Sequence, residues 1–223
     1  MGSTQNYMVS GNHINIRLSI LSMRYFFLIL ILFGLLACQA SQPGLISLNG
    51  YTMGTTYSIK IISVQNKINV SVLQKDIETI LADINQTMST YIDDSELSIL
   101  NQTRSTGWQT LSPDLYNIIK HADAVSRMTN GAFDVTIGPL VNIWGFGPDL
   151  FTQTIPADKT IESLKQAIGY EHILFNNELE QITKKKADLY IDLSGIAKGF
   201  AVDKIAQYLE HNNLQHYLVE IGG

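Results

Sequence analysis

Leu189-Tyr190-Ile191-Asp192-Leu193-Ser194-Gly195-Ile196-Ala197-Lys198-Gly199-Phe200-Ala201-Val202-Asp203 carries an apolar stretch into a carboxylate, a small-residue turn and the start of a helix. The apolar stretch reads as a strand over about 187–193. Past the Ser-Gly turn, Ile196, Phe200, Ile205 and Leu209 fall on one side of a helix, with Lys198 near its beginning. A strand that gives way to a helix through small residues turns backbone N–H groups toward one point, which suits an anion. Asp192 and Lys198 stand six residues apart across the turn, as a structural ion pair or as ligand-binding charges.

Outward from this segment, helices and strands follow one another without a regular rhythm. His216 to Ile221 reads as a last strand ending in Gly222-Gly223, glycines that ordinarily begin a turn into a further strand. The sequence is therefore expected to be truncated at its C-terminus. Leu45 to Ser63 reads as a bent strand pair, with Tyr57, Ile59 and Ile61 on one face. Gly54, within Met53-Gly54-Thr55-Thr56-Tyr57, marks a bulge or a close approach by a ligand. Leu73, Ile77, Ile80, Leu81, Ile84 and Met88 keep helical spacing over 70–88.

Asp93 with Glu96 resembles a capping box for a short helix carrying Leu97 and Leu100. Ser112-Pro113 starts a helix whose stripe runs Leu115, Ile118, Ile119, Ala122, Val125, Met128 and stops at Asn130-Gly131. Ala132 to Ile137 reads as a strand stopped by Gly138-Pro139. Thr160 to Ile168 reads as a helix closed by Gly169, and 171–176 and 179–183 as strands. Lys184-Lys185-Lys186 then reads as a solvated hairpin tip. This order favours an α+β fold, mixed or antiparallel sheets packed with helices, over a doubly wound α/β one.

The N-terminus is of a different kind. Arg24 precedes an uninterrupted apolar run of 14 residues, Tyr25 to Cys38. A membrane-spanning helix needs roughly 20 apolar residues and a signal-peptide core roughly 7–15, so the run reads as an export signal. Leu35-Leu36-Ala37-Cys38 resembles a bacterial lipobox, which makes Cys38 a lipidation site and the mature N-terminus. Residues 1–22 are polar and precede Met23, a second candidate start. The expected organisation is an extension plus lipoprotein signal peptide over 1–37, a lipidated tether over 38–48 and one domain over 49–223. Exported and anchored by its lipid, the protein would face the periplasm or outer surface of a bacterial membrane.

With 45% hydrophobic and 16% charged residues the chain has the composition of a globular domain. From Cys38 onward it holds all 20 acidic residues but only 13 of the 15 lysines and arginines, a net charge of −7 that argues against nucleic-acid binding. The single cysteine excludes a disulfide within the chain, and the five histidines lack metal-ligand spacing. Ser194 lacks the Gly-x-Ser-x-Gly elbow of a serine hydrolase, and no dinucleotide or Walker-type glycine fingerprint occurs. Gly131-Ala132-Phe133-Asp134, with Trp144-Gly145-Phe146-Gly147-Pro148 after it, combines small residues, aromatics and an acid suited to a flat ring. A capped helix with a loop packed on Trp144 explains the same pattern without a ligand.

Several of these segments occur in one order. Met53 to Tyr57, Tyr91 with Ser95-Glu96-Leu97-Ser98 and Asn101, Gly131 to Asp134, Gly138-Pro139-Leu140, Trp144 to Pro148, Asp192 to Asp203 and Glu220 to Gly223 together resemble the FAD:protein FMN transferase (ApbE) family. The resemblance runs from about Gly50 to the end. It implies a single α+β domain related to the T-fold. It also implies an Mg²⁺-dependent transfer of FMN from FAD to a Ser or Thr of a target protein, such as a redox-pump subunit, with release of AMP. Met53, Tyr91, Ala132, Phe133, Asp134, Asp192 and Lys198 match FAD-contacting positions, and Gly195 matches a position whose backbone carbonyl binds the metal. The family's remaining metal ligands, an Asp and a Thr, are expected beyond Gly223. An FAD pyrophosphatase giving FMN and AMP, or a flavin-binding lipoprotein without catalysis, is the alternative.

Overall fold

A computed structural model describes residues 44–63, 68–148 and 155–222. The expected export signal and Cys38 lie outside the described residues. Among the described residues, no helix is long and apolar enough to cross a membrane.

The chain enters as a hairpin of β1 (Gly44–Thr52) and β2 (Thr55–Ser63). Met53 and Gly54 are its two-residue turn, with φ of +49° and +70°. Positive φ at both central positions is the turn whose twist matches that of paired strands, and glycine takes it without a steric penalty. Gly54 is thus a turn residue rather than a bulge. Gly50 pairs with Tyr57, and a Cβ at Gly50 would stand 2.5 Å from the Tyr57 ring, so the glycine makes room for the aromatic. A third strand, β6 (Tyr217–Ile221), lies antiparallel to β2 and gives the order β1–β2–β6.

One face of this sheet buries Leu48, Tyr57, Ile59, Ile61 and Ile221. Against it pack α1 (Val70–Met88) and α6 (Ala197–His211). Helix α1 is capped by the Asn69 side chain and buries Leu73, Ile77, Leu81, Ile84 and Met88, nearly the expected stripe. Helix α6 buries Ala201, Ile205 and Leu209, and Tyr208 donates to Asp76 Oδ2 of α1 at 2.6 Å. Ser112 caps α3 (Pro113–Met128) as expected, but the buried stripe turns at its end: Ser126 is inside while Met128 is 83% exposed. The Ser126 hydroxyl donates back to Ala122 O at 2.9 Å and needs no outside partner there.

A second sheet has the order β3–β5–β4, from β3 (Gln109–Thr110), β4 (Ile173–Asn176) and β5 (Gln181–Lys184). With helices packed on antiparallel three-stranded sheets, the molecule has the α+β architecture expected of it. The remaining helices are α2 (Glu96–Gln102), α4 (Gly138–Ile143) and α5 (Asp158–Lys165).

Four expectations are corrected. Ser95, not Asp93, caps α2, accepting from Ser98 N, while Glu96 reaches across to Ser112 N at 2.6 Å. Lys184 is no hairpin tip: its side chain is fully buried, and its ammonium donates to Leu100 O at 3.1 Å, Thr103 O at 2.6 Å and Leu189 O at 3.4 Å. Burial, with the Arg104 charge as a lesser cause, pushes its pKa down. Residues 132–137 form turns rather than a strand, and the Asp134 carboxylate closes one of them by accepting from Thr136 N. Residues 189–193 join no sheet, although Leu189, Ile191 and Leu193 are wholly buried.

Candidate functional site

A cavity of about 610 Å³ opens where four elements meet. The hairpin turn supplies Met53 and Gly54, and the end of α1 supplies Ile84, Asn85 and Met88. The loop 89–92 adds Tyr91, and the turn into α6 adds Asp192, Ser194 and Lys198. The volume lies within the roughly 300–1,000 Å³ of small-molecule sites, and apolar walls with a few polar groups are their usual lining. Met53, Tyr91, Asp192 and Lys198, remote in sequence, are brought to this one space.

The Asp192 turn is held by its own side chain. Asp192 Oδ1 accepts from Ser194 N at 2.8 Å and from the Ser194 hydroxyl. From the other side, Asp192 N donates to Val135 O at 2.7 Å. Ile191 is fixed by Asn101, whose Nδ2 donates to Ile191 O and whose Oδ1 accepts from Ile191 N, both at 2.8 Å. Gly138, at the start of α4, lets this segment approach: a Cβ there would come within 2.3 Å of the Tyr190 ring and 3.3 Å of Asp192 Cβ.

Lys198 is exposed and forms no ion pair with Asp192 among the described residues. Its stem runs beside Gly222. A Cβ at Gly222 would meet Lys198 Cδ at 3.3 Å and Thr55 Cγ2 at 3.1 Å, and the φ of +72° already favours glycine. Gly222 N donates to Thr56 O at 3.0 Å, so the end of β6 stands directly beside the hairpin turn.

The Gly131 to Asp134 segment is placed differently. Asp134 Oδ1 accepts from Thr136 N and Thr136 Oγ1, both at 2.7 Å, and Oδ2 from Tyr170 N at 3.1 Å, so both oxygens are bonded into the surrounding turns. Ala132 is exposed. Phe133 lies against Gly195, where an added Cβ would touch its ring at 3.2 Å. Ala132, Phe133, Asp134 and Gly195 are not among the residues that line the cavity. Tyr91 donates to Phe146 O at 2.7 Å, tying the rim of the cavity to the exposed aromatic loop 144–148.

Among the described residues no group of three or more His, Cys, Asp or Glu is gathered for a metal. One carboxylate, Asp192, and the exposed Gly195 backbone are at hand. That is a partial set, of the kind Mg²⁺ accepts when phosphate oxygens complete its shell. Sequence reasoning missed Asn85, Ser89 and Ser194 as cavity residues; helical spacing located α1 but carried no sign that its last turn faces a cavity.

The ApbE family model matches residues 53–223. An FAD:protein FMN transferase of Vibrio cholerae is 42% identical over 178 residues, 80% of this chain and 53% of that protein. One of Haemophilus influenzae is 42% identical over 193 residues, 85% of this chain and 56% of its own. Among solved structures, the flavin transferase ApbE from Vibrio cholerae superposes with a TM-score of 0.78 at 40% identity, covering 81% of this chain and 58% of that one. The apo flavinyl transferase ApbE of Pseudomonas stutzeri does so with a TM-score of 0.76 at 30% identity, covering 82% and 60%. The chain spans about half the length of the curated relatives it matches.

Proposed function

The chain belongs to the ApbE family, and from that premise we propose that it forms the FAD-binding wall of an enzyme that moves FMN from FAD to a Ser or Thr of another protein, releasing AMP. The observation that carries this reading is the convergence of Met53, Tyr91, Asp192 and Lys198 on one cavity of about 610 Å³. Ile84, Met88 and Met53 offer an apolar wall to a flat ring, and Tyr91 an aromatic face. Lys198, on the first turn of α6, adds positive charge where the N–H groups of that helix also favour phosphate.

Asp192 and the Gly195 carbonyl are the groups that would hold Mg²⁺, which would supply positive charge to the pyrophosphate. The chain's own part in the reaction is positioning. Its residues hold the FMN phosphorus open to the acceptor hydroxyl, whose oxygen bonds phosphorus as the bond to AMP breaks and its proton is released. The lipobox-like Leu35 to Cys38 supports a lipid-anchored protein at a bacterial membrane, and with that location a membrane redox-pump subunit as acceptor.

Incubating the protein with FAD, Mg²⁺ and such a subunit, then weighing the subunit, tests the reading. A gain of one FMN less one water, the mass of FAD minus AMP, is expected. Free FMN with an unmodified subunit would make the protein a pyrophosphatase, and intact bound FAD a flavin-binding protein. Lys198→Ala is expected to weaken FAD binding or transfer; unchanged affinity and rate would remove Lys198 from the site.

A further inference from the structure

Helix α2 sits between the two walls of the cavity and bonds to both. At its start, the hydroxyls of Ser95 and Ser98 both donate to Ser89 O, Ser98 at 3.2 Å, and Ser89 lines the cavity. At its end, Asn101 exchanges two hydrogen bonds of 2.8 Å with Ile191, the residue before Asp192. Buried Lys184 braces the same end by joining Leu100 O and Thr103 O to Leu189 O.

Segment 189–193 is buried and belongs to no sheet, so its backbone groups need partners from elsewhere. A primary amide is the side chain that offers one donor and one acceptor in the spacing of a strand neighbour. A carboxylate in its place cannot donate to Ile191 O, and an aliphatic side chain can do neither. Asn101 is itself 9% exposed and 90 residues from Ile191 in sequence, so the contact is a tertiary one.

We propose that Asn101 is a positioning residue for the site: its amide replaces the missing strand neighbour of Ile191 and so sets Asp192 against the Ser89–Tyr91 wall. Asn101 touches no cavity-lining side chain in this scheme and acts through the backbone that carries Asp192. Its effect on FAD rests on the function proposed above; its effect on the backbone does not.

The test takes Asn101→Leu and Asn101→Asp, with Ile119→Val in α3 as a core variant that does not line the cavity. In the FAD-free chain, amide exchange over 189–194 should quicken at least about ten-fold in Asn101→Leu and stay unchanged in β4. Ile119→Val should leave 189–194 as it was. Equal acceleration everywhere, or none at 189–194, overturns the proposal. Should Asn101→Leu fail to fold, Asn101→Asp, which keeps the acceptor for Ile191 N–H, carries the same comparison. With FAD and Mg²⁺, Asn101→Asp should weaken binding about five-fold when Asp192 is intact and add nothing in an Asp192→Asn background, as expected of residues acting as one unit. Independent, multiplying effects would overturn action through Asp192. If the unaltered chain binds no FAD, the proposed function falls, and amide exchange still decides the role of Asn101.

Discussion

Asp134-Val135-Thr136 and Asp192-Leu193-Ser194 close the same turn. In each, one carboxylate oxygen accepts the N–H and the hydroxyl of the residue two places on. The two turns even touch, since Asp192 N donates to Val135 O. They diverge at the other oxygen. Asp134 Oδ2 takes Tyr170 N, and buried Thr136 accepts from Gly169 N at 2.8 Å, so the first turn is bonded into the scaffold. Asp192 Oδ2 has no donor among the described residues, Ser194 is exposed, and both residues line the cavity. An Asx turn is a local device; whether it is scaffold or site depends on what meets its second oxygen.

The widest separation is expected from truncating each aspartate. Asp134→Ala strands the N–H groups of Thr136 and Tyr170 and should cost about 3 kcal/mol in a urea titration, with FAD affinity nearly unchanged. Asp192→Ala should do the reverse, losing about 1 kcal/mol of stability while weakening FAD binding in Mg²⁺ at least about ten-fold. If Asp134→Ala abolishes FAD binding in a protein that stays folded, the division between the two turns is wrong, and 132–134 belongs to the site.

A smaller effect is expected at Gly222, where the Asp192 side of the cavity meets the hairpin. Gly222→Ala meets both the positive φ and the Lys198 stem. A loss of about 1–2 kcal/mol in stability, with FAD binding several-fold weaker, is expected in denaturant and fluorescence titrations. Full affinity in that variant would separate Lys198 from the end of β6.

The smallest effect concerns scaffold alone. The Tyr208 phenol is pushed up to about 12, first by burial and then by its hydrogen bond to, and charge repulsion from, Asp76. A phenol with a raised folded-state pKa leaves stability intact below its unfolded value near 10. Above that, the unfolded chain loses its proton first, and stability falls as pH climbs toward 12. Tyr208→Phe should therefore flatten the alkaline decline of denaturant stability while leaving FAD affinity at neutral pH unchanged. An equally steep decline in the variant would assign it to other groups.

Legibility in the sequence follows how local each cause is. Helices α1, α3 and α6 and the hairpin were readable because their apolar periodicity is strong and helix caps such as Ser112 act within a few residues. Lys184 was misread because two of the three carbonyls that receive its ammonium, Leu100 O of α2 and Thr103 O just after it, lie more than 80 residues away in sequence. Segment 187–193 was read as a strand since it ends in an apolar run; that the neighbour of Ile191 is the side chain of Asn101, not a strand, is decided 90 residues away. The candidate site was legible as motifs in order, and Met53, Gly54, Tyr91, Asp192, Ser194, Ala197 and Lys198 of those motifs share the cavity, while Asn85 and Ser89 carried no pattern of their own.

By itself, the sequence determined the α+β class, the main helices and the hairpin, and family membership, because periodicity, caps and ordered motifs are properties of short stretches. Only the tertiary structure decided which aspartate is spent on the scaffold and which faces the cavity. The two turns are alike over three residues, and what separates them is Tyr170, 36 positions from Asp134, arriving at one carboxylate and not the other.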